Sequence, residues 1–549
     1  AATGGALRFA TPPGVGGSME LVLSGFAVGI TPWIFYVFTG GLEPVGAGKA
    51  WTGYVLSVFG SAAAVVLLPG IIIGSVFPYL MKLAEPYSRS AGRTIGHLAA
   101  INTVSAIAGS LVAGFVLLDL VGLWGSIRAV GIAYLLLAVV VPGGRTNGQL
   151  AARGAAAVGV VLFGFVITYA GFSKVRLDAG SAEQVVEIRE GSQGTVAVLN
   201  RDGDLRMKVN NSYLLGTSES APNTRIQTWL PIGLHPRPRS IFFLGMGTGI
   251  TAGAALALPV ERVVVCELNR DVVEASRDHF EPYLFGLFRD PRATVLVEDG
   301  RNYLYGTRET FDLIIGDIFL TYRAGVGSLY TVEHFRAVRD RLEPGGLFVQ
   351  WLPTFDISPR EFDIVTRTML EAFPQVTVWR RSLSPSFPLV ALVARADETP
   401  LDPGRLEGHL ESLVEDGLLP QDVWLGSIPL AAYMGNAGEA ASLFADVPVS
   451  TDDRTPLEFS APITNRNSHG RGAAVVLAWE ALADLGRRLL DAVPTDADPY
   501  LRNVEPAKRR QVGAGLAYYR HVVATRSDRP VEAAEHLQEY RRLLGLDPG

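Results

Sequence analysis

Hydrophobic residues are concentrated in the first third of the chain, where long apolar runs follow one another. These runs cover residues 21–38, 51–80, 97–120, 123–141 and 155–172. Each is close to the ~20 residues that an α-helix needs to cross the ~30 Å hydrocarbon core of a bilayer. The pattern predicts a transmembrane domain over residues 19–175, with five spans, or six if the long second run crosses twice.

The third run contains features that favour contact between helices. Small residues recur there at a four-residue spacing, in the pairs Gly109 with Ala113 and Ser110 with Gly114. This spacing allows helices to approach closely in lipid. Asn102 and Thr103 are polar positions inside the run. We interpret them as interhelical hydrogen-bonding groups, with a ligand or ion site as the alternative.

The segment before the first run and the charges around the second bear on topology. Residues 1–18 are small and glycine-rich, and they predict a flexible lead-in. No basic segment precedes an apolar core there, which argues against a signal peptide. Lys82, Arg89 and Arg93 mark the loop after the second run as cytoplasmic. Counted from a cytoplasmic N-terminus, five spans would place the remaining chain outside the cell, and six would place it inside.

Beyond residue 180 the pattern changes to the polar–apolar alternation of half-buried strands. Strands are predicted over residues 185–188, 195–199 and 205–209. Asp202 and Gly203 suit the two-residue turn of a hairpin. We expect a small β-hairpin domain and linker over residues 180–236.

The next segment has the pattern of a nucleotide-binding βαβ unit. A short apolar run at 241–244 predicts a buried strand, and a second run at 262–266 ends at Glu267. Between them lie Gly245, Gly247 and Gly249, followed by a small-residue segment that suits a closely packed helix. Glycines let the backbone approach a ligand, and an acid about 20 residues further on can bind ribose hydroxyls.

Acidic residues also follow the next two predicted strands. Asp299 and Gly300 come after the strand at 293–297, and Asp317 comes after the strand at 311–315. A fifth strand is predicted at 347–351. Because the carboxyl ends of parallel strands meet at one edge of a sheet, Glu267, Asp299 and Asp317 are expected there together. The predicted α/β domain covers residues 237–398.

These motifs resemble the class I S-adenosylmethionine-dependent methyltransferase fold and, within it, the spermidine synthase (polyamine aminopropyltransferase) family. The run GSLYTVEHFRAVRDRLEPGGLFVQWLP at 327–353 is similar to the bacterial branch in which this domain is fused to a membrane domain. GSVFPYL at 74–80 and STDDRTPLEFSAP at 450–462 are similar to the same branch.

The resemblance implies transfer of an aminopropyl group from decarboxylated S-adenosylmethionine to a small amine acceptor. Glu267 would then bind the ribose, Asp299 beside Gly300 would bind the adenine amino group, and Asp317 would accept the proton of the amine. The loop lying against the nucleoside would comprise Gly245, Gly247, Thr248 and Gly249. A donor with its carboxylate, S-adenosylmethionine itself, is the alternative co-substrate.

Several positions depart from the family pattern. Thr248 stands where the family has an acid in its glycine loop, and Leu320 stands where it has a second acid after Asp317. Other departures are Arg206, Asn223, Arg225 and Trp229. The nucleoside half of the site is thus kept, whereas the acceptor half has lost most of its anionic groups. A catalytically degenerate structural subunit of a membrane complex and a methyltransferase therefore remain as alternative functions.

Composition and charge limit the partners. The net charge of −6 gives no basic footprint for nucleic acid. The eight histidines are scattered, so no metal site is expected, and the one cysteine, Cys266, lies in a predicted buried strand. Residues 399–549 are expected to form a largely helical packing or docking appendage.

The resemblance places the chain in the bacterial inner (plasma) membrane as a multi-pass protein in contact with the lipid bilayer. Its soluble domain is expected to be cytoplasmic, because S-adenosyl nucleosides are cytoplasmic. A homodimer and other membrane subunits are both compatible with the sequence.

Overall fold

The computed structural model describes residues 13–46, 49, 51–84, 90–140, 147–169, 171–178, 180–211, 213–419, 428–471 and 475–546. Most of the predicted lead-in and Arg89 lie outside these residues. The chain divides into two compact units. The first consists of Ala1–Asp202 with Lys208–Leu214, and the second of Gly203–Met207 with Leu215–Gly549.

The first unit begins with five apolar helices. They are α1 (Pro13–Phe38), α2 (Trp51–Ala84), α3 (Ala91–Val112), α4 (Leu118–Val140) and α5 (Asn147–Val161). Short π-helical turns follow α3 at Ala113–Leu117 and α5 at Leu162–Val166. Helix α1 begins at Pro13, so the predicted lead-in is too long, because proline is well tolerated in the first turn of a helix.

Four stretches of the described residues are long and apolar enough to cross a membrane. They are Gly17–Phe38, Trp51–Lys82, Gly92–Val140 and Asn147–Val166. The second is one continuous helix of 34 residues that contains Pro69 and Pro78. The third joins two predicted spans, with a break at Gly122, whose φ of 67° is outside the helical region. The described residues thus contain four candidate stretches, and the number of crossings stays a prediction.

Glycines bring α1 into close contact with α4 and α5. A Cβ atom on Gly25 would lie 2.6 Å from Leu135 Cγ, and one on Gly29 would overlap the ring of Phe163. By contrast, no atom lies within 4 Å of a Cβ position on Gly109 or Gly114. The small residues of the third run are therefore not an interface within the described chain, contrary to our expectation.

The polar positions Asn102 and Thr103 are likewise exposed on α3. Both interpretations, interhelical hydrogen bonding and a ligand or ion site, therefore stay predictions.

A four-stranded sheet follows the helices, with strands in the order β1-β2-β3-β4. Their bounds are β1 (Gln184–Gly191), β2 (Gly194–Arg201), β3 (Asp204–Val209) and β4 (Tyr213–Thr217). Strands β1 and β2 are antiparallel. The predicted turn is confirmed, since Asp202 and Gly203 both have positive φ, at 53° and 94°. Strand β4 was not predicted.

The second unit is built on an eight-stranded sheet. Its strands are β5 (Ser240–Leu244), β6 (Arg262–Glu267), β7 (Ala293–Val297), β8 (Phe311–Gly316), β9 (Leu342–Pro353), β10 (Gln375–Arg380), β11 (Leu389–Arg395) and β12 (Tyr433–Asn436). Their order is β12-β10-β11-β9-β8-β5-β6-β7. Strands β5 to β9 pair in parallel, and β10 to β12 are antiparallel to their neighbours. The five parallel strands confirm those predicted from the apolar runs.

Helices lie between and after these strands. Those before residue 399 are α6 (Ala221–Leu234), α7 (Ile250–Ala254), α8 (Arg270–Ala275), α9 (Gly300–Gly306), α10 (Val332–Arg339) and α11 (Pro359–Leu370). Those after it are α12 (Pro403–Glu415), α13 (Pro456–Arg471), α14 (Glu480–Ala492), α15 (Pro506–Arg526) and α16 (Pro530–Leu544). The predicted helical C-terminal segment is thus confirmed as helical.

That segment is more than an appendage, however. It supplies β12, which pairs with β10 in the main sheet. Leu489 of α14 and Tyr519 of α15 belong to the same buried cluster as Val378 of β10. The C-terminal residues therefore complete the hydrophobic core of the second unit.

Candidate functional site

The site lies where the strand order reverses in the parallel part of the sheet. Strand β5 has β6 on one side and β8 on the other, so the chain leaves its carboxyl end in one direction and returns to its other side later. Such a point leaves a crevice beyond the carboxyl ends of the strands, and ligands bind there in open α/β sheets.

The loop after β5 has a backbone that only glycine adopts readily. Gly245, Gly247 and Gly249 all have positive φ, at 86°, 54° and 81°. A Cβ atom would be 3.2 Å from Phe319 Cε1 at Gly245. At Gly247 the nearest atom would be Asp317 Oδ2, at 3.8 Å. Gly247 therefore faces Asp317, and no other atom crowds its Cβ position.

Glu267 ends β6 next to this loop. Its Oε2 atom accepts hydrogen bonds from the backbone nitrogens of Met246 and Gly247, both at 3.2 Å, and its Oε1 accepts one from Asn269 N at 2.9 Å. Burial raises the pKa of the Glu267 carboxyl, and these backbone donors act in the opposite direction. The acid thus holds the glycine loop in place while facing the crevice.

Asp317 follows β8 on the other side of β5. Its backbone nitrogen donates to Leu244 O at 3.0 Å, and its Oδ1 accepts a hydrogen bond from Ile318 N at 2.8 Å. Burial raises the pKa of Asp317 to about 6, and the nearby charge of Glu267 contributes to the shift. The structure therefore brings the two predicted acids into one cleft, with Asp317 poised to exchange a proton near neutral pH.

Asp299 has a structural role in this conformation. It is the N-cap of α9, and its Oδ1 accepts hydrogen bonds from Arg301 N at 2.8 Å and Asn302 N at 3.2 Å. Gly300 allows α9 to begin against the sheet, since a Cβ there would lie 2.6 Å from Leu244 Cδ1. Contact of Asp299 and Gly300 with an adenine remains a prediction.

Thr248 is buried and packs beneath the end of β4. A Cβ on Gly216 would lie 3.0 Å from Thr248 Cγ2. The carbonyl oxygen of Leu215 is 4.0 Å from a Cβ position on Gly247. Residues 215–217 therefore lie over the glycine loop and limit access to it.

The departures near the predicted acceptor half are occupied by structural contacts. Arg225 stacks over the ring of Phe285 at 4.6 Å and donates to Tyr283 O at 3.2 Å. The indole nitrogen of Trp229 donates to Ala254 O at 3.0 Å. These side chains hold α6 against its neighbours.

Gln350 is a site residue that the sequence reasoning missed. It is fully buried in β9, and its Nε2 donates to the carbonyl oxygens of Asp317 at 3.1 Å and Trp351 at 3.0 Å. Its side chain also fills the space beside Gly316. A single polar residue inside an apolar strand was the signal that could have found it.

No group of three or more histidine, cysteine, aspartate or glutamate side chains in the described residues is arranged to hold a metal ion. Cys266 is buried and unpaired by disulfide, and burial raises the pKa of its thiol to about 12.

The topology defines the class of the second unit. With the strands from β5 to β11 counted as one to seven, the order is 3-2-1-4-5-7-6, and the seventh strand is antiparallel to the fifth. This is a class I methyltransferase-like fold. The spermidine synthase of Thermotoga maritima aligns with a TM-score of 0.35 at 23% identity, covering 41% of this chain and 75% of that chain.

Part of the second unit matches a known domain family by sequence. The spermine/spermidine synthase domain matches residues 224–392. The polyamine aminopropyltransferase of Aeropyrum pernix is 29% identical over 197 residues, which are 35% of this chain and 60% of that protein. That of Mycobacterium tuberculosis is 27% identical over 327 residues, 56% of this chain and 62% of that protein. Residues 224–392 therefore belong to the spermine/spermidine synthase domain family, and the chain spans about 60% of the length of these curated relatives.

Proposed function

We propose that this chain is a membrane-anchored aminopropyltransferase that uses decarboxylated S-adenosylmethionine and a small amine. The observation that carries this proposal is the position of Asp317, which lies beside Gly247 of the glycine loop, in the same cleft as Glu267. A proton acceptor next to a nucleoside-binding loop is what transfer from a sulfonium to an amine requires.

The chemistry asks little of the protein beyond position and proton transfer. The amine nitrogen attacks the propyl carbon bonded to sulfur, the carbon–sulfur bond breaks with its electron pair on sulfur, and a neutral thioether leaves. The amine must lose a proton, and Asp317 with a pKa of about 6 is mostly ionised at pH 7 and can accept it. Gln350 fixes the backbone of Asp317 and so orients the carboxylate.

The acceptor is proposed to carry less positive charge than a diamine. Arg225 and Trp229 occupy family acceptor positions and are engaged in packing contacts. Asp317 and Glu267 are then the acids that face the glycine loop, and Glu267 is already bound to backbone amides. A monoamine would need fewer carboxylates than a dication to offset the loss of its hydration.

The soluble unit is proposed to be cytoplasmic. Lys82 and Arg93 flank the loop after the second candidate span and favour the cytoplasmic side for it. If Gly92–Val140 crosses once, Asn147–Val166 returns the chain to that side. The break at Gly122 is the point that decides this, because a hairpin there would add a crossing.

A structural subunit is the second candidate, since packing contacts have replaced acceptor groups. Calorimetry with methylthioadenosine on the purified full chain tests the two functions. Binding in the micromolar range, together with amine-dependent turnover, supports the enzyme. No binding at millimolar nucleoside, together with stoichiometric copurification of other membrane proteins, would overturn it in favour of the subunit. Nucleoside binding with turnover only from the intact donor would instead indicate a methyltransferase.

A further inference from the structure

A second cavity lies at the far end of the main sheet, away from the β5–β8 crevice. It has a volume of 80 Å³ and opens between strands β10 and β11 and the segment around residue 500. On this measure of volume, about 10–15 Å³ is enough to hold one water molecule. The cavity can therefore accommodate a ligand of several heavy atoms. It includes residues of the C-terminal segment that completes the core.

The base of this cavity presents hydrogen-bond donors. Arg395 is 3% exposed and donates through Nη2 to Leu234 O at 2.9 Å. Its Nε and Nη1 atoms are buried and have no acceptor among the described residues. The hydroxyl of Tyr500, whose ring lies 5.7 Å from the guanidinium, is also buried, and it has no hydrogen-bond partner in the described chain other than Arg395 itself.

Leaving such donors unpaired costs free energy, and most buried polar groups in proteins are satisfied. The nearby carboxylate of Asp498 does not satisfy them. It accepts hydrogen bonds from Tyr433 Oη at 2.6 Å, Asn436 Nδ2 at 2.9 Å and Tyr500 N at 3.0 Å. The free donors of Arg395 therefore call for an acceptor from outside the protein, and a planar carboxylate matches the guanidinium fork best.

The mouth of the cavity carries charge of both signs. Glu398, Glu439 and Arg502 line it and are exposed, and none of the three forms an ion pair within the described residues. Two carboxylates against one guanidinium give the mouth a net negative charge. A simple anion would be repelled there, whereas a ligand with an ammonium group near its carboxylate would be attracted.

We propose that this cavity is a binding site for a small zwitterionic amino acid. Its carboxylate is held by Arg395 and the Tyr500 hydroxyl, and its ammonium lies towards Glu398 and Glu439. The site is separate from the transferase cleft and does not depend on the proposed activity.

Titration calorimetry on the full chain in detergent tests this with glycine, acetate, methylamine and inorganic phosphate as probes. Glycine is expected to bind at least tenfold more tightly than each of the other three. Tyr500→Phe should weaken glycine about two- to tenfold, the usual value of one hydrogen bond. Because it removes a single hydroxyl, this variant should fold, and its thermal unfolding checks that.

The double variant Glu398→Gln/Glu439→Gln should weaken glycine binding but leave acetate unchanged or improve it. Its matched control is Glu411→Gln/Glu415→Gln, which makes the same charge change at exposed positions of α12 and should leave glycine binding unaltered. Equal affinities for glycine, acetate and phosphate, or glycine binding insensitive to Tyr500→Phe, would overturn the proposal. The absence of glycine binding at about 100 mM glycine would also overturn it, since a single site with a Kd of about 10 mM or below would then be at least ~90% occupied.

Discussion

The Oε2 atom of Glu267 lies 3.2 Å from the backbone nitrogen of Gly247 and accepts its hydrogen bond. The acid predicted to bind a ribose therefore also fixes the loop predicted to lie against the nucleoside. Oε2 also accepts a hydrogen bond from Met246 N, so a ribose hydroxyl would have to bind mainly through Oε1. Loop shape and ligand affinity are consequently coupled through one side chain.

Replacing Glu267 with alanine should therefore weaken nucleoside binding by about 1–3 kcal/mol, because both the ribose hydroxyls and the loop amides lose an acceptor. Calorimetry with methylthioadenosine measures this. The matched control is Glu261→Ala, an exposed acid at the start of β6. An affinity equal to that of the wild-type chain would show that Glu267 only shapes the loop.

The prediction for Asp317 concerns turnover. Asp317→Asn should lower the rate about 10²- to 10⁴-fold, the usual contribution of a positioned base, with little change in nucleoside affinity. In the wild-type chain the rate should rise as the pH increases through about 6, because the carboxyl then loses its proton. Initial rates between pH 5 and 8 check this, and a flat profile would exclude Asp317 as the base.

Asp317 also leads to a prediction for stability: turnover should rise with pH, whereas the stability of the fold should fall. The pKa of Asp317 is raised to about 6 in the folded chain, so the folded state binds the proton more tightly than the unfolded state. Between the pKa of an unfolded aspartate, about 3.9, and the folded value of about 6, the free energy of unfolding falls as pH rises. Asp317→Asn should thus stabilise the chain at pH 8 by about 1–3 kcal/mol, at about 1.4 kcal/mol per pKa unit, and have little effect at pH 4. Thermal unfolding at both values tests it.

The parts of the fold that the sequence predicts best are those set by local pattern. The strand at Ala293–Val297 was predicted with its observed bounds, because its apolar run is enclosed by polar residues. Strand β12 was missed because four residues carry too little periodicity, and its pairing with β10 depends on tertiary structure. Likewise, Asp299 could be placed at the edge of the sheet, but its N-cap bonds to Arg301 and Asn302 depend on how α9 begins.

The membrane helices show the same limit. The four-residue spacing predicted close contacts at Gly109 and Gly114, but the packed glycines are Gly25 and Gly29 on α1. Spacing indicates which helix face can pack closely, and only the arrangement of the helices shows which face does.

This arrangement yields a matched pair of variants. Gly29→Leu should destabilise the helical domain by about 1–3 kcal/mol or more, because the new side chain overlaps the ring of Phe163. Gly60→Leu adds the same side chain to an exposed face of α2, where no atom lies within 4 Å of the Cβ position, and should have little effect. Thermal unfolding in detergent compares them. Equal losses in both variants would contradict the observed packing of α1.

A further prediction concerns the donor. Thr248 stands where the family has an acid, and Arg206 of β3 is a cation where it has a neutral residue. Arg206 is 16% exposed at its side chain and lies 4.0 Å from Asp204, so it does not extend into solvent. If both positions face the donor tail, they favour a donor that keeps its carboxylate. The double variant Thr248→Asp/Arg206→Gln should shift the preference towards the decarboxylated donor. An unchanged ratio of affinities would show that these positions do not read the tail.

The last prediction is that the soluble unit faces the cytoplasm. Ser527 follows α15 and is exposed, so Ser527→Cys offers a thiol for labelling. The native chain provides the control, because Cys266 is buried and its thiol pKa is raised to about 12, which leaves it unreactive. In intact cells an impermeant maleimide should leave the variant unlabelled, and it should label the variant fully after the membrane is permeabilised. Labelling before permeabilisation would place the unit outside, where S-adenosyl nucleosides are absent, and would require Gly92–Val140 to cross twice by turning at Gly122.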